Sequence, residues 1–103
     1  MKEKSTTTTA NSRESARAVI RFAVALQLLK EKRIIRGKKT FTDRYGINRW
    51  NMNTCLKSPE SGVFQVSWLT YLVRDYGVSP RWLLTGEGSC FAPDGYVSDV
   101  KNL

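Results

Sequence analysis

The sequence predicts an all-α fold of five helices, and three observations carry that prediction. Apolar residues recur at helical spacing in two segments, Ala16 to Leu29 and Val66 to Val73. Strand signals are poor throughout. A short device, an aromatic residue, Gly, an aliphatic residue and a capping side chain, occurs twice: Tyr45-Gly46-Ile47-Asn48 and Tyr76-Gly77-Val78-Ser79. With 103 residues there is material for one domain, expected over 13–91 between a disordered tail at 1–12 and a second tail at 92–103.

Each element has its own signals. The start, Met1 to Lys4 followed by Ser5 and a run of threonines, has charge but no apolar stretch of the kind a signal peptide needs. Asn11 and Ser12 are candidate N-caps for a helix over 13–36, ended by Gly37, with Lys and Arg crowding its last turns where they complement the helix dipole. Its stripe is Ala16, Val19, Phe22, Ala23, Leu26 and Leu29. Between Ala18 and Leu29 only Arg21 and Gln27 are polar, so this helix is either the centre of the core or carries a dimer surface on one flank. A second helix spans 39–45 and stops at Gly46; Asn48 caps a third that runs to Lys57, before Ser58-Pro59. The fourth covers 65–76, with Val66, Trp68, Leu69, Leu72 and Val73 as its inward set, and Gly77 ends it. Ser79 with Pro80 opens a last short helix closed by Gly86, whose Trp82, Leu83 and Leu84 read as a core plug. A packed turn near Phe91 comes after it.

Composition narrows the chemistry. There is no histidine, which removes the Ser-His-Asp and Cys-His nucleophile pairs and any His-containing zinc site. Cys55 and Cys90 have no C-x-x-C spacing and read as reduced thiols in a cytoplasmic protein, Cys55 as a packing residue. No paired carboxylates, activated nucleophile or Gly-rich phosphate loop is evident, so neither an enzyme nor a small-molecule cofactor is expected. The longest apolar run is too short for a membrane span.

Charge points toward a polyanion. The net charge is +8, and its distribution is uneven. Residues 13–57 carry twelve basic side chains against only Glu14, Glu31 and Asp43; residues 58–103 carry three basic against five acidic. Between Arg44 and Lys57 there is no acidic residue.

The two turn devices lead into helices of different character. Each has the layout of a helix-turn-helix: Gly takes the left-handed conformation, the aliphatic residue plugs the angle, and Asn or Ser satisfies orphan amides. After Asn48 comes a polar helix with Met52 and Leu56 as its inward face. A helix that reads DNA needs Arg for guanine, Asn for adenine and hydroxyls for either, at its N-terminal end. Arg49, Asn51, Asn53 and Thr54 supply these types as base-reading candidates. Trp50 joins them if it stacks at a duplex surface; otherwise it wedges between helices. Lys30, Lys32, Arg33, Arg36, Lys38, Lys39, Arg44 and Lys57 are candidate phosphate contacts.

Residues 66–91, V-S-W-L-T-Y-L-V-R-D-Y-G-V-S-P-R-W-L-L-T-G-E-G-S-C-F, resemble the last two helices of the lambda-repressor-like helix-turn-helix domains of phage repressors. Gly77-Val78-Ser79 ahead of Trp82-Leu83-Leu84-Thr85-Gly86 carries the likeness, and Phe41 to Leu56 is similar, less closely, to that family's second and third helices. The sequence departs from the family at Lys38, Phe41 and Thr42, where Gln, Leu and a small Ala are usual. The extra hydroxyl of Thr42 is expected to widen the spacing of the two helices. The resemblance implies a transcriptional regulator that binds double-stranded DNA as a homodimer. It also implies that Arg49, Trp50, Asn51, Asn53 and Thr54 face the bases and that Lys57 contacts the backbone. The competing expectation is an assembly adaptor that keeps the scaffold and uses the apolar first helix and Trp50 as contacts.

Overall fold

The computed structural model describes residues 10–61 and 63–91, and over them the chain forms five α-helices with no strand. The tails expected at 1–12 and 92–103 lie largely outside the described residues. The chain divides into two compact units, Met1–Phe64 and Gln65–Leu103, where length had suggested one.

The first unit holds α1 (Ala10–Glu31), α2 (Lys38–Tyr45), α3 (Arg49–Lys57) and a 3-10 turn (Pro59–Ser61). Helix α1 already includes Asn11 and Ser12, so neither is its cap. Its buried stripe is Ala16, Val19, Phe22, Ala25, Leu26 and Leu29; Ala25 replaces the expected Ala23, which is half-buried. The stripe packs on α3 and on the 3-10 turn. Phe22 is wholly buried and meets two rings edge-on, Phe41 of α2 at 5.7 Å between centroids and Phe64 at 5.3 Å. Phe41 in turn lies 5.1 Å from the Tyr45 ring. This aromatic cluster ties α1 to α2, because edge-to-face rings combine a large buried area with favourable quadrupole alignment.

Helix α1 stops at Glu31, well before the expected end at Gly37. The stop is a Schellman motif: the Ile34 N–H donates to the Leu29 carbonyl and the Arg33 N–H to the Lys30 carbonyl, both at 2.9 Å. Arg33 takes the left-handed position, φ 63°, which Gly normally fills. Gly37 has φ 167°, extended backbone that any residue adopts, and it precedes α2 without providing a side-chain cap. A left-handed residue with a Cβ costs about 1–2 kcal/mol, and the extra unfolded-state freedom of Gly takes back roughly 0.5–1. Arg33→Gly is therefore expected to stabilise the unit by up to about 1.5 kcal/mol in urea unfolding. A loss of stability would show that the Arg33 side chain contributes more than its backbone strain costs.

The α2–α3 connection agrees with the reading from sequence. Gly46 is left-handed at φ 65°, and the N–H groups of Gly46 and Ile47 both donate to the Thr42 carbonyl. Asn48 is extended, and its side-chain oxygen accepts from the Asn51 N–H at 3.0 Å, satisfying one orphan amide of α3. Thr42 is buried, and its hydroxyl donates to the Lys39 carbonyl at 3.1 Å, so the polar atom the family lacks is satisfied within α2.

The second unit holds α4 (Val66–Tyr76) and α5 (Pro80–Thr85), which pack on each other. Trp68, Leu69 and Leu72 are buried. Val66, expected among them, is 75% exposed, and Val73 is half-buried. Gly77 ends α4 in the left-handed conformation and Ser79 caps α5, accepting from the Trp82 N–H at 3.2 Å. The Ser79 N–H donates to the Cys90 carbonyl at 2.7 Å, and Val78 forms an isolated antiparallel bridge with Phe91, which is the packed turn expected there. The expectation of a core plug in α5 is corrected. A helix of six residues turns only one narrow face inward, so Leu83 is buried, Trp82 half-buried, and Leu84 60% exposed.

Candidate nucleic-acid interface

Helix α3 has two chemically distinct faces. At about 100° per residue, Met52, Cys55 and Leu56 fall on one side, with Trp50, Asn53, Thr54 and Lys57 opposite. Burial matches that division: Met52 and Cys55 are buried and Leu56 half-buried, whereas Asn53 and Lys57 are exposed. Arg49 and Asn51 lie on the flanks and are exposed as well. Cys55 belongs to the inward set beside Met52, in keeping with its reading as a packing residue.

Trp50 resolves in favour of solvent. It is 79% exposed and sits at the middle of the outer face, not between helices. The sequence left this open because Met52, two residues on, and Leu56 turn Trp50 away from the core but do not show whether another helix covers it; burial of Met52 and Cys55 with Trp50 in solvent answers the point. Thr54 differs from the other candidates. It is half-buried, and its hydroxyl donates to the Trp50 carbonyl at 2.8 Å, so its proton is engaged in the helix backbone and is not offered outward.

All of the cations expected to touch phosphate are exposed: Lys30, Lys32, Arg33, Arg36, Lys38, Lys39, Arg44 and Lys57. The fold gathers five of them into two groups. Arg33, Arg36 and Arg44 border one depression together with Ile34, Thr40 and Asp43. Lys30 and Lys38 border another that reaches Leu56 of α3. The loop after α1 folds back so that the Arg36 N–H donates to the Thr40 hydroxyl at 3.3 Å, holding Arg36 beside the first turn of α2. Lys39 is engaged by Asp43 at 2.6 Å, an exposed i,i+4 pair that partly neutralises it, which spacing alone could have indicated. Arg44 lies 5.2 Å from the centroid of the Tyr45 ring.

Every predicted site residue thus belongs to the first unit and reaches solvent at least in part, and the exposed ones lie on the outer face and flanks of α3, at the end of α1, in the loop after it and on α2. The arrangement offers guanidinium and amide groups beside an indole, within a unit of strong positive charge. Among the described residues no group of His, Cys, Asp or Glu could hold a metal ion, and no helix is long and apolar enough to cross a membrane. Comparisons with protein-family models, with curated proteins and with solved structures find no match to this chain.

Proposed function

We propose that this protein is a sequence-specific double-stranded DNA-binding regulator of transcription, acting in the cytoplasm through a lambda-repressor-like helix-turn-helix. Helix α3 enters the major groove, where Arg49, Trp50, Asn51 and Asn53 meet base edges. Thr54 contributes less than these four, because its hydroxyl proton is engaged. Lys30, Lys32, Arg33, Arg36, Lys38, Arg44 and Lys57 contact phosphates, and Lys39 does so in competition with Asp43. One observation carries the reading: a capped, polar helix face with Trp50 at its centre stands in solvent in the unit that holds most of the cations. A helix of nine residues spans only a half-site, so the protein acts as a homodimer on two half-sites about one helical turn apart. No catalytic step belongs to this reading.

Selection of bound duplexes from a random pool tests it, and enrichment of a two-fold related sequence is the expected result. On that sequence Asn51→Ala is expected to lose about 1–3 kcal/mol of specific binding while binding to unrelated DNA is nearly unchanged. Lys38→Ala should weaken both by similar factors. Equal losses on all sequences for Asn51→Ala would remove α3 as the reading helix.

A further inference from the structure

We propose that α3 recognises the C5-methyl group of a pyrimidine in the major groove, with Trp50 as the contact, so that its half-site contains thymine beside adenine. The inference rests on the DNA-reading role assigned to α3 above.

Three observations support it. First, Trp50 on the outer face of α3 is exposed over 79% of its surface, more than any other large hydrophobic side chain among the described residues, and an indole has no acceptor and one donor. Its broad face is apolar, and the apolar feature a duplex displays in the major groove is the thymine methyl. Second, the neighbour one turn along, Thr54, has turned its hydroxyl back to the Trp50 carbonyl at 2.8 Å. The donor at that position is consumed within the helix, so the side chain offers its γ-methyl and the acceptor capacity of its oxygen but no proton. Third, the exposed side chains on either side of this apolar strip are Asn51 and Asn53. Asn pairs bidentately with adenine N6 and N7, and each adenine brings a thymine methyl from its own partner into the same groove. Amide, indole and amide side by side therefore match consecutive A·T pairs better than a G·C run, which displays no methyl group to the indole face. Arg49, beyond Asn53 on the same flank, suits a guanine at the edge of the half-site.

The same methyl chemistry could be supplied by 5-methylcytosine, and the test separates the two. With the full-length chain and the duplex enriched from a random pool, each thymine is replaced in turn by uracil, which removes only the methyl. At one or two thymines per half-site the wild type is expected to lose roughly fourfold in affinity, the equivalent of ~0.8 kcal/mol for one buried methyl-sized group. Trp50→Ala, at an exposed position that folding does not require, should bind the thymine and uracil duplexes equally, and Trp50→Leu should retain part of the difference. If cytosine stands where the penalty was expected and its C5-methylation raises affinity in the wild type but not in Trp50→Ala, methylcytosine is the source. An enriched site in which no C5-methyl alters affinity overturns this inference while leaving DNA reading intact, as does a uracil penalty that survives in Trp50→Ala. A pool that enriches no sequence overturns both.

Discussion

Raising the salt from about 50 mM to about 200 mM is expected to weaken duplex binding by about a thousand- to a hundred-thousand-fold, the range for six to ten phosphate contacts. Each cation that replaces a condensed counterion on DNA contributes a slope of roughly −0.9 in the logarithm of affinity against that of salt. With Lys30, Lys32, Arg33, Arg36, Lys38, Lys39, Arg44 and Lys57 all exposed, each protomer contributes at most about −7 to the slope. The Asp43 carboxylate 2.6 Å from Lys39 lowers it, since that charge is already partly screened. Lys39→Ala should consequently flatten the slope less than Lys38→Ala. The competing adaptor function predicts a different curve. Ile20 and Val24 of α1 are 50% and 41% exposed, and with Trp50 they could form an apolar contact. Burial of such surface is nearly indifferent to moderate salt and is strengthened by strongly excluded salts. Titration of a labelled duplex at four or five salt concentrations distinguishes the two, and a flat line would favour the adaptor.

Much of this arrangement is legible in the sequence, and the failures have physical causes. The turn at Gly46 and Asn48 could be read because each of these residues has one local task, left-handed backbone and cap, and both fulfil it, while Ile47 between them is half-buried. The end of α1 could not. Gly37 advertises a stop, but the chain turned earlier, at Arg33, where nothing in the residue type signals a left-handed conformation. Propensity was overridden there by the burial of Ile35, which draws the chain back after the helix. At Val66 and Leu84 the error was of another kind. Helical spacing identifies apolar residues on a face, but not whether the fold supplies anything to cover its edges, and both side chains remain exposed beside a shallow depression between α4 and α5. The division into two units was likewise invisible to a count of residues. In the candidate interface, the residue types were legible and Met52 and Leu56 already turn Trp50 away from the inward face, but whether another element covers that outer face was not legible, because spacing within one helix says nothing of its neighbours.

Phe22→Ala is expected to cost the first unit about 3–5 kcal/mol, the usual range for removing a buried phenyl ring. Phe22 has no exposed surface, and the ring it would lose contacts Phe41 at 5.7 Å and Phe64 at 5.3 Å. The loss combines the transfer energy of the side chain, a cavity that neighbouring helices fill only in part, and two edge-to-face pairs of about 0.5–1.5 kcal/mol each. Domains of this size are stable by roughly 5–15 kcal/mol, so the truncation removes a large share of that margin and should clearly lower the urea midpoint. Phe22→Leu, which keeps most of the volume, should cost clearly less. The consequence for function depends on where the ring lies. Phe22 fixes α2 through Phe41, and α2 sets the position of α3 through the Thr42 carbonyl and the Gly46 turn. Duplex affinity should therefore fall with the folded fraction of the first unit, and at low temperature, where the variant refolds, the preferred sequence should be unchanged. Urea unfolding of the variant alongside duplex titration checks both statements. A cost below about 1 kcal/mol, outside the range for such a truncation, would mean that Phe22 is not the centre of the core.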